Sequence, residues 1–165
     1  MDDTQVQEIM IPGTRALTAT EDVPVETAIK GFLAQPEVHT LFVIDKNGKL
    51  KGAVKLHYIL NWVKLRLGME ITDHTSVRTF DSLQAFEVVK LCQSQAIGDI
   101  LSASPEIKPT ATLEEALHVM VLEQVVELPV VNASGIFMGE IKLTQLLSKM
   151  LSDNDNIGPL CQTDV

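Results

Sequence analysis

Basic residues are scarce in this chain of 165 residues: 13 Lys and Arg stand against 22 Asp and Glu, a formal charge of −9 at pH 7. A duplex-binding surface rests on cations that neutralise phosphates, so no nucleic-acid partner is expected. Cysteine is scarcer still. Cys92 and Cys161 lie far apart and match no CxxC or zinc spacing, which leaves two ordinary thiols. No stretch approaches the roughly 18 apolar residues that a membrane helix needs. The most hydrophobic one, Val119 to Val126, is interrupted by Glu123, so no membrane insertion is expected. The N-terminus, Met1-Asp2-Asp3, is acidic where a secretory signal is basic, and no apolar segment follows it. A cytoplasmic location is the expectation. His39, His57, His74 and His118 form no i, i+4 ligand pair, so no metal site is expected. Neither a nucleophile with its base nor a phosphate-cradling glycine loop is present, so the reading is not an enzyme.

Apolar side chains are not scarce. With 45% hydrophobic and 21% charged residues, the chain carries enough apolar surface to offset chain entropy, and a packed core follows. The length suits one ordinary domain or two small ones.

The apolar pattern is written twice. At a shift of 87 to 88 residues, Val25, Ala28, Ile29, Phe32 and Leu33 meet Leu113, Ala116, Leu117, Met120 and Val121. Both sets follow the i, i+3, i+4, i+7, i+8 spacing of a core-facing helix. Thr112 with Glu115 is a capping box, and Pro24 stands at the entrance of the first helix. Each helix precedes a β-rich run, 40–44 and 128–131, then a turn ending in Gly48 or Gly135, then a second strand, 50–55 and 136–142. A further amphipathic helix closes each copy, through Leu56, Ile59, Leu60, Val63 and Leu67 and through Leu143, Leu146, Leu147, Met150 and Leu151. Short extended pieces, 15–18 and 106–108, come before the first helices, and leading segments 6–10 and 97–101 read as short helices.

The fold class is therefore α+β, two β-α-β-β-α repeats. Strands joined through a helix pair parallel and turn-linked strands pair antiparallel. One unit of about 50 residues buries too little alone, so the two should pack together through their sheets. The expected divisions are a first repeat at 6–67, a linker at 68–96 with a bridging helix over 82–94, a second repeat at 97–151 and a flexible tail at 152–165.

The duplicated segments "VQEIM" and "IGDIL", "TLEEAL", "LPVV" with its Gly-containing turn, and Gly52-Ala53-Val54-Lys55-Leu56 with Gly139-Glu140-Ile141-Lys142-Leu143 resemble a tandem pair of CBS domains, a Bateman module, over about Val6 to Leu151. The resemblance implies two repeats packed about a pseudo-twofold axis with two clefts between them, pairing of modules into a homodimer, and regulation of a partner protein or domain rather than catalysis. It also implies an adenosyl ligand such as AMP, ADP, ATP, S-adenosylmethionine or NAD, with no required cofactor. The positions that it marks for ligand binding are Thr18, Leu41, Lys55 and Tyr58 in the first repeat and Lys108, Leu128, Lys142 and Gln145 in the second.

In the family's nucleotide-binding copies the last strand runs into its helix as Gly, two apolar residues, Thr or Ser, two residues, then Asp. Here Lys55 and Lys142 take the hydroxyl position, and Tyr58 and Gln145 take the Asp position. Each lysine is either aimed at a ligand anion beside a helix N-terminus or a solvated cation at a strand end. Tyr58 either stacks on a purine or is a half-buried tyrosine, and Gln145 can hydrogen-bond a sugar. Two functions stay open: a ligand-sensing module, or an interaction and dimerisation module with degenerate clefts.

Overall fold

A computed structural model describes residues 4–67 and 93–153. Nearly all of the expected bridging helix, both cysteines, and the tail beyond 153 lie outside the described residues. The elements run α1 (Val6–Ile9), β1 (Ile11–Pro12), β2 (Thr18–Ala19), α2 (Val25–Ala34), β3 (Thr40–Ile44), β4 (Leu50–Lys55) and α3 (Leu56–Arg66). After the linker come a 3-10 turn (Ile97–Asp99), α4 (Leu113–Glu123), β5 (Glu127–Val131), β6 (Phe137–Lys142) and α5 (Leu143–Asp153). No described helix is long and apolar enough to cross a membrane.

The repeat is present in both sheets. In the first, of order β2-β3-β4, β2 runs parallel to β3 and β4 antiparallel to it. In the second, of order β1-β6-β5, Ile107 makes a single parallel bridge to Val130 where the first sheet has β2. The register breaks at the same place in both hairpins, between Val43 and Ile44 and between Val130 and Val131. The turns are built alike. Asp45 Oδ1 accepts the Asn47 and Lys49 amides, and Asn132 Oδ1 accepts the Ser134 and Ile136 amides. Gly48 and Gly135 both take φ +79°, a conformation that a side chain would strain. The helix starts agree with the sequence. Thr112 Oγ1 accepts the Glu115 amide, the Glu115 carboxylate accepts the Thr112 amide, and Pro24 is the N-cap of α2.

Two cores result. Val25, Ala28, Phe32, Leu41, Val43, Val54, Ile59 and Trp62 fill the first, and Leu113, Ala116, Met120, Leu128, Val130, Ile141 and Leu146 fill the second. Trp62 lies outside the apolar stripe of Leu56, Ile59 and Val63 yet is buried, and its indole N–H donates to the Ser94 carbonyl at 3.3 Å. Two expected core positions are corrected. Leu33 and Val121 are 76% and 69% exposed, because eight residues at 100° each carry the stripe about 80° off its starting face.

The leading segments cross over. Val6, Ile9 and Met10 pack into the second core, whereas Ile97, Ile100 and Leu101 pack into the first. The exchange is reciprocal in its hydrogen bonds. Val6 and Gln7 amides donate to Ala111 and Pro109 carbonyls at 2.9 Å, and Ile97 and Gly98 amides donate to Val23 and Glu21 carbonyls at 2.9 Å. It also explains a glycine in each last strand. A Cβ on Gly139 would run into the Ile11 carbonyl on β1, and one on Gly52 into the Ser102 carbonyl, which pairs with β4 through Ala53. At the hairpin tips the Leu50 amide donates to Gly135 O at 3.1 Å and the Phe137 amide to Gly48 O at 2.9 Å. These exchanged pairs mark the pseudo-twofold axis.

Candidate ligand cleft between the repeats

Strand alternation divides each central hairpin. Leu41, Val43 and Val54 face the first core and Leu128, Val130 and Ile141 the second. The opposite faces carry Thr40, Phe42, Ala53 and Lys55 in one repeat and Glu127, Pro129, Glu140 and Lys142 in the other. Phe42 is fully buried yet outside its own repeat's core; its ring lies 5.2 Å from that of Phe137. These faces form the contact between repeats.

At the α-helical end of this contact a cleft of about 380 Å³ opens, lined by His39, Thr40, Lys55, Leu56, His57 and Leu60 of the first repeat and Gln124 to Val126 of the second. Gln124 turns this corner in the left-handed conformation, φ 53°, ending α4. Lys55 stands where β4 passes directly into α3, whose first turn carries no acidic residue. Its ammonium has no carboxylate partner among the described residues. The imidazole of His57 lies 4.6 Å from the Tyr58 ring. Burial, and then the Lys55 charge, lower the His57 pKa from its ordinary value, which favours the neutral ring.

The equivalent lysine is differently placed. Lys142, its side chain 15% exposed, lies 3.4 Å from Glu127 Oε1 and 3.8 Å from Glu140 Oε1, and donates to the Glu37 carbonyl of the first repeat at 3.4 Å. Glu127, 4% exposed, accepts the His39 amide through both oxygens at 3.2 Å. Glu140, 1% exposed, leaves Oε2 without a partner among the described residues. Its pKa is pushed up to about 7, chiefly by burial and then by the Glu127 charge, against the pull of Lys142.

The other positions marked in the sequence divide three ways. Leu41 and Leu128 turn into the cores, 1% and 0% exposed, so only their main chain could meet a ligand. Gln145 is spent on the main chain: Oε1 accepts the Lys142 amide at 3.1 Å, and Nε2 donates to the Ile9 carbonyl at 3.2 Å. Thr18, opposite Phe42 on β2, does not line the Lys55 cleft. Lys108 is exposed and lines a separate open concavity of about 780 Å³ at the start of α4. Half-buried Tyr58 lies next to the cleft without lining it. Sequence reasoning missed Glu127 and Glu140 as a pair. The signal available was a charged residue at each of two inward positions of strands otherwise apolar.

The sequence pattern of the CBS domain matches residues 6–65 and 97–152. The chain belongs to the CBS-domain family. This CBS pair matches none of the curated protein sequences. Among solved structures it is similar to CBSX2 in complex with AMP, a protein of Arabidopsis thaliana, with TM-score 0.70 and 22% identity over 91% of this chain and 98% of that one. A CBS domain-containing protein from Thermotoga maritima superposes with TM-score 0.68 at 18% identity, covering 92% and 97%. The CBS domain pair of protein MJ0100, in complex with 5′-methylthioadenosine and S-adenosyl-L-methionine, gives 0.64 at 15%, covering 93% and 99%. At these identities the likeness is one of fold.

Proposed function

We propose that this CBS pair is a regulatory module that senses an anionic adenosyl ligand in the cleft at Lys55. The observation that carries the reading is Lys55 itself, a cation without a carboxylate partner among the described residues, at the start of α3 in a cleft of small-molecule size. Amides of a helix's first turn and an ammonium together suit a phosphate or carboxylate. The ligands named for CBSX2 and the MJ0100 pair, AMP and S-adenosyl-L-methionine, support the adenosyl class. Leu56 and Leu60 supply apolar wall, and His57 and Tyr58 supply rings beside it. A ligand that prefers one arrangement of the repeats, or of two paired modules, would report its presence to a partner protein or domain.

A homodimer belongs to this reading. Leu33 and Leu60 on the helices of one repeat, Leu67 just beyond α3, and Val121, Leu122, Leu147 and Leu151 on the helices of the other are exposed, a pattern that a second copy would cover. One observation favours the second function, an interaction module without ligands: Gln145 and Lys142 already have protein partners.

A thermal-shift panel of AMP, ADP, ATP, S-adenosylmethionine and NAD tests the proposal. A ligand at about a hundred times its dissociation constant stabilises by ~2.7 kcal/mol, and Lys55→Ala should abolish that shift. No shift from any member of the panel would favour the interaction module.

A further inference from the structure

The two lysines of the pseudo-twofold are not in equivalent company. In the first sheet Thr40 pairs with Lys55 and Phe42 with Ala53; in the second, at the same register, Glu127 pairs with Lys142 and Pro129 with Glu140. A hydroxyl and a methyl group thus stand where the second repeat has two carboxylates. Both carboxylates are buried, and both point at the Lys142 ammonium from within 4 Å. Glu127 also takes the main-chain amide of His39 across the repeat boundary. An anionic ligand approaching Lys142 would therefore meet a cation already paired with the Glu127 carboxylate, and a second carboxyl group, that of Glu140, packed against it.

We propose that Glu127 and Glu140 act as an internal anion that occupies Lys142 in place of a ligand, so that each chain has one working cleft, at Lys55. This rests on the reading of the Lys55 cleft given above for its stoichiometry, but the closure of the second cleft does not. The contacts assign a second task to the same residues. Glu127 and Lys142 hold the main chain of His39 and Glu37, and His39 is a wall of the Lys55 cleft. The closed site thereby shapes the open one.

Two measurements on the full chain test this. In the first, the wild-type protein is acetylated briefly with an amine-reactive ester and its peptides are mapped by mass. Lys142 should remain unlabelled at the time when Lys55 is fully labelled, and labelling of both in step would overturn the proposal. In the second, AMP is titrated calorimetrically into wild type and into Glu127→Thr/Glu140→Ala, which carries the residues of the first repeat. The double variant should gain an AMP site that disappears again when Lys142→Ala is added, whatever the loss of the Glu127 hold on His39 does to the Lys55 site. Two AMP on wild type, or a folded double variant in which Lys142→Ala removes no bound AMP, would overturn it. If wild type binds none and the double variant binds one through Lys142, the closed cleft stands and the Lys55 reading falls. If neither binds AMP, or the double variant does not fold, the labelling of wild type decides.

Discussion

Glu127 and His39 belong to different repeats, yet the carboxylate of the first receives the main-chain amide of the second through both of its oxygens, at 3.2 Å. The same carboxylate faces Lys142 across β5 and β6. Its removal would leave the His39 amide without its acceptor and a mostly buried ammonium with only the more distant Glu140 carboxyl. Breaking one partner of such a pair costs on the order of 3 kcal/mol, so Glu127→Ala should lower the unfolding free energy in urea by about that amount. A loss under about 0.5 kcal/mol, the range of an exposed pair, would show that the contact carries no load.

Stability should fall as pH rises toward neutrality. Glu140 titrates near 4.5 in an open chain and at about 7 when folded, so between those values the folded state holds more protons than the unfolded one. Its contribution is complete below about 4.5 and is lost as pH rises through about 7. His57, lowered by burial, acts in the opposite sense, favouring the folded state as pH rises through its ordinary range. Melting temperatures across this range should therefore decline in wild type and lose the decline in Glu140→Gln. A decline that persists in the variant would assign it to another group.

Gly139→Ala and Gly52→Ala should each disrupt the crossed segments. The added carbon meets a main-chain carbonyl, that of Ile11 or Ser102, which cannot swing aside as a side chain can. Overpacking of this kind costs about 1 to 3 kcal/mol or more, and hydrogen exchange should show Ile11 and Ser102 deprotected first. Gly135→Ala is the control: its Cβ meets nothing within 4 Å, so only the positive φ, +79°, is penalised, by about 1 kcal/mol. Equal losses and equal exchange patterns in all three would refute the close-approach explanation.

Assembly is testable at the helices. Leu33 and Val121, equivalent positions on α2 and α4, are exposed, so replacing both by Asp should leave the monomer folded. Sedimentation velocity at micromolar concentration should show wild type as a dimer and the double variant as a monomer. A monomeric wild type would end the expectation.

Most of the local structure was legible from composition and spacing. The duplicated i, i+3, i+4, i+7 stripes located α2 and α4, Thr112 and Glu115 marked a helix start, and Gly48 and Gly135 marked the turns, because caps and turns answer to short-range chemistry. The cleft was legible only in part. Lys55 and Lys142 were visible as a pair in the pattern, but identical letters gave no sign that Lys142 would stand between two carboxylates while Lys55 meets none among the described residues.

What the sequence determined by itself is the unit and its duplication: which residues make helices and strands, where hairpins turn, and which strand faces are apolar. These follow from periodicities of 3.6 and 2 and from the conformations open to Gly, Pro and Thr. Only the tertiary structure decided that Val6 serves the second core and Ile97 the first. Adjacency in the chain favours the uncrossed arrangement, and the crossing rests on whether an apolar segment can reach the neighbouring sheet and meet a glycine there. Tertiary structure alone likewise decided that Glu127, Glu140 and Lys142 share one buried site. The charge of a side chain is written in the sequence; its dielectric surroundings and its partners are set by the packing of two repeats face to face.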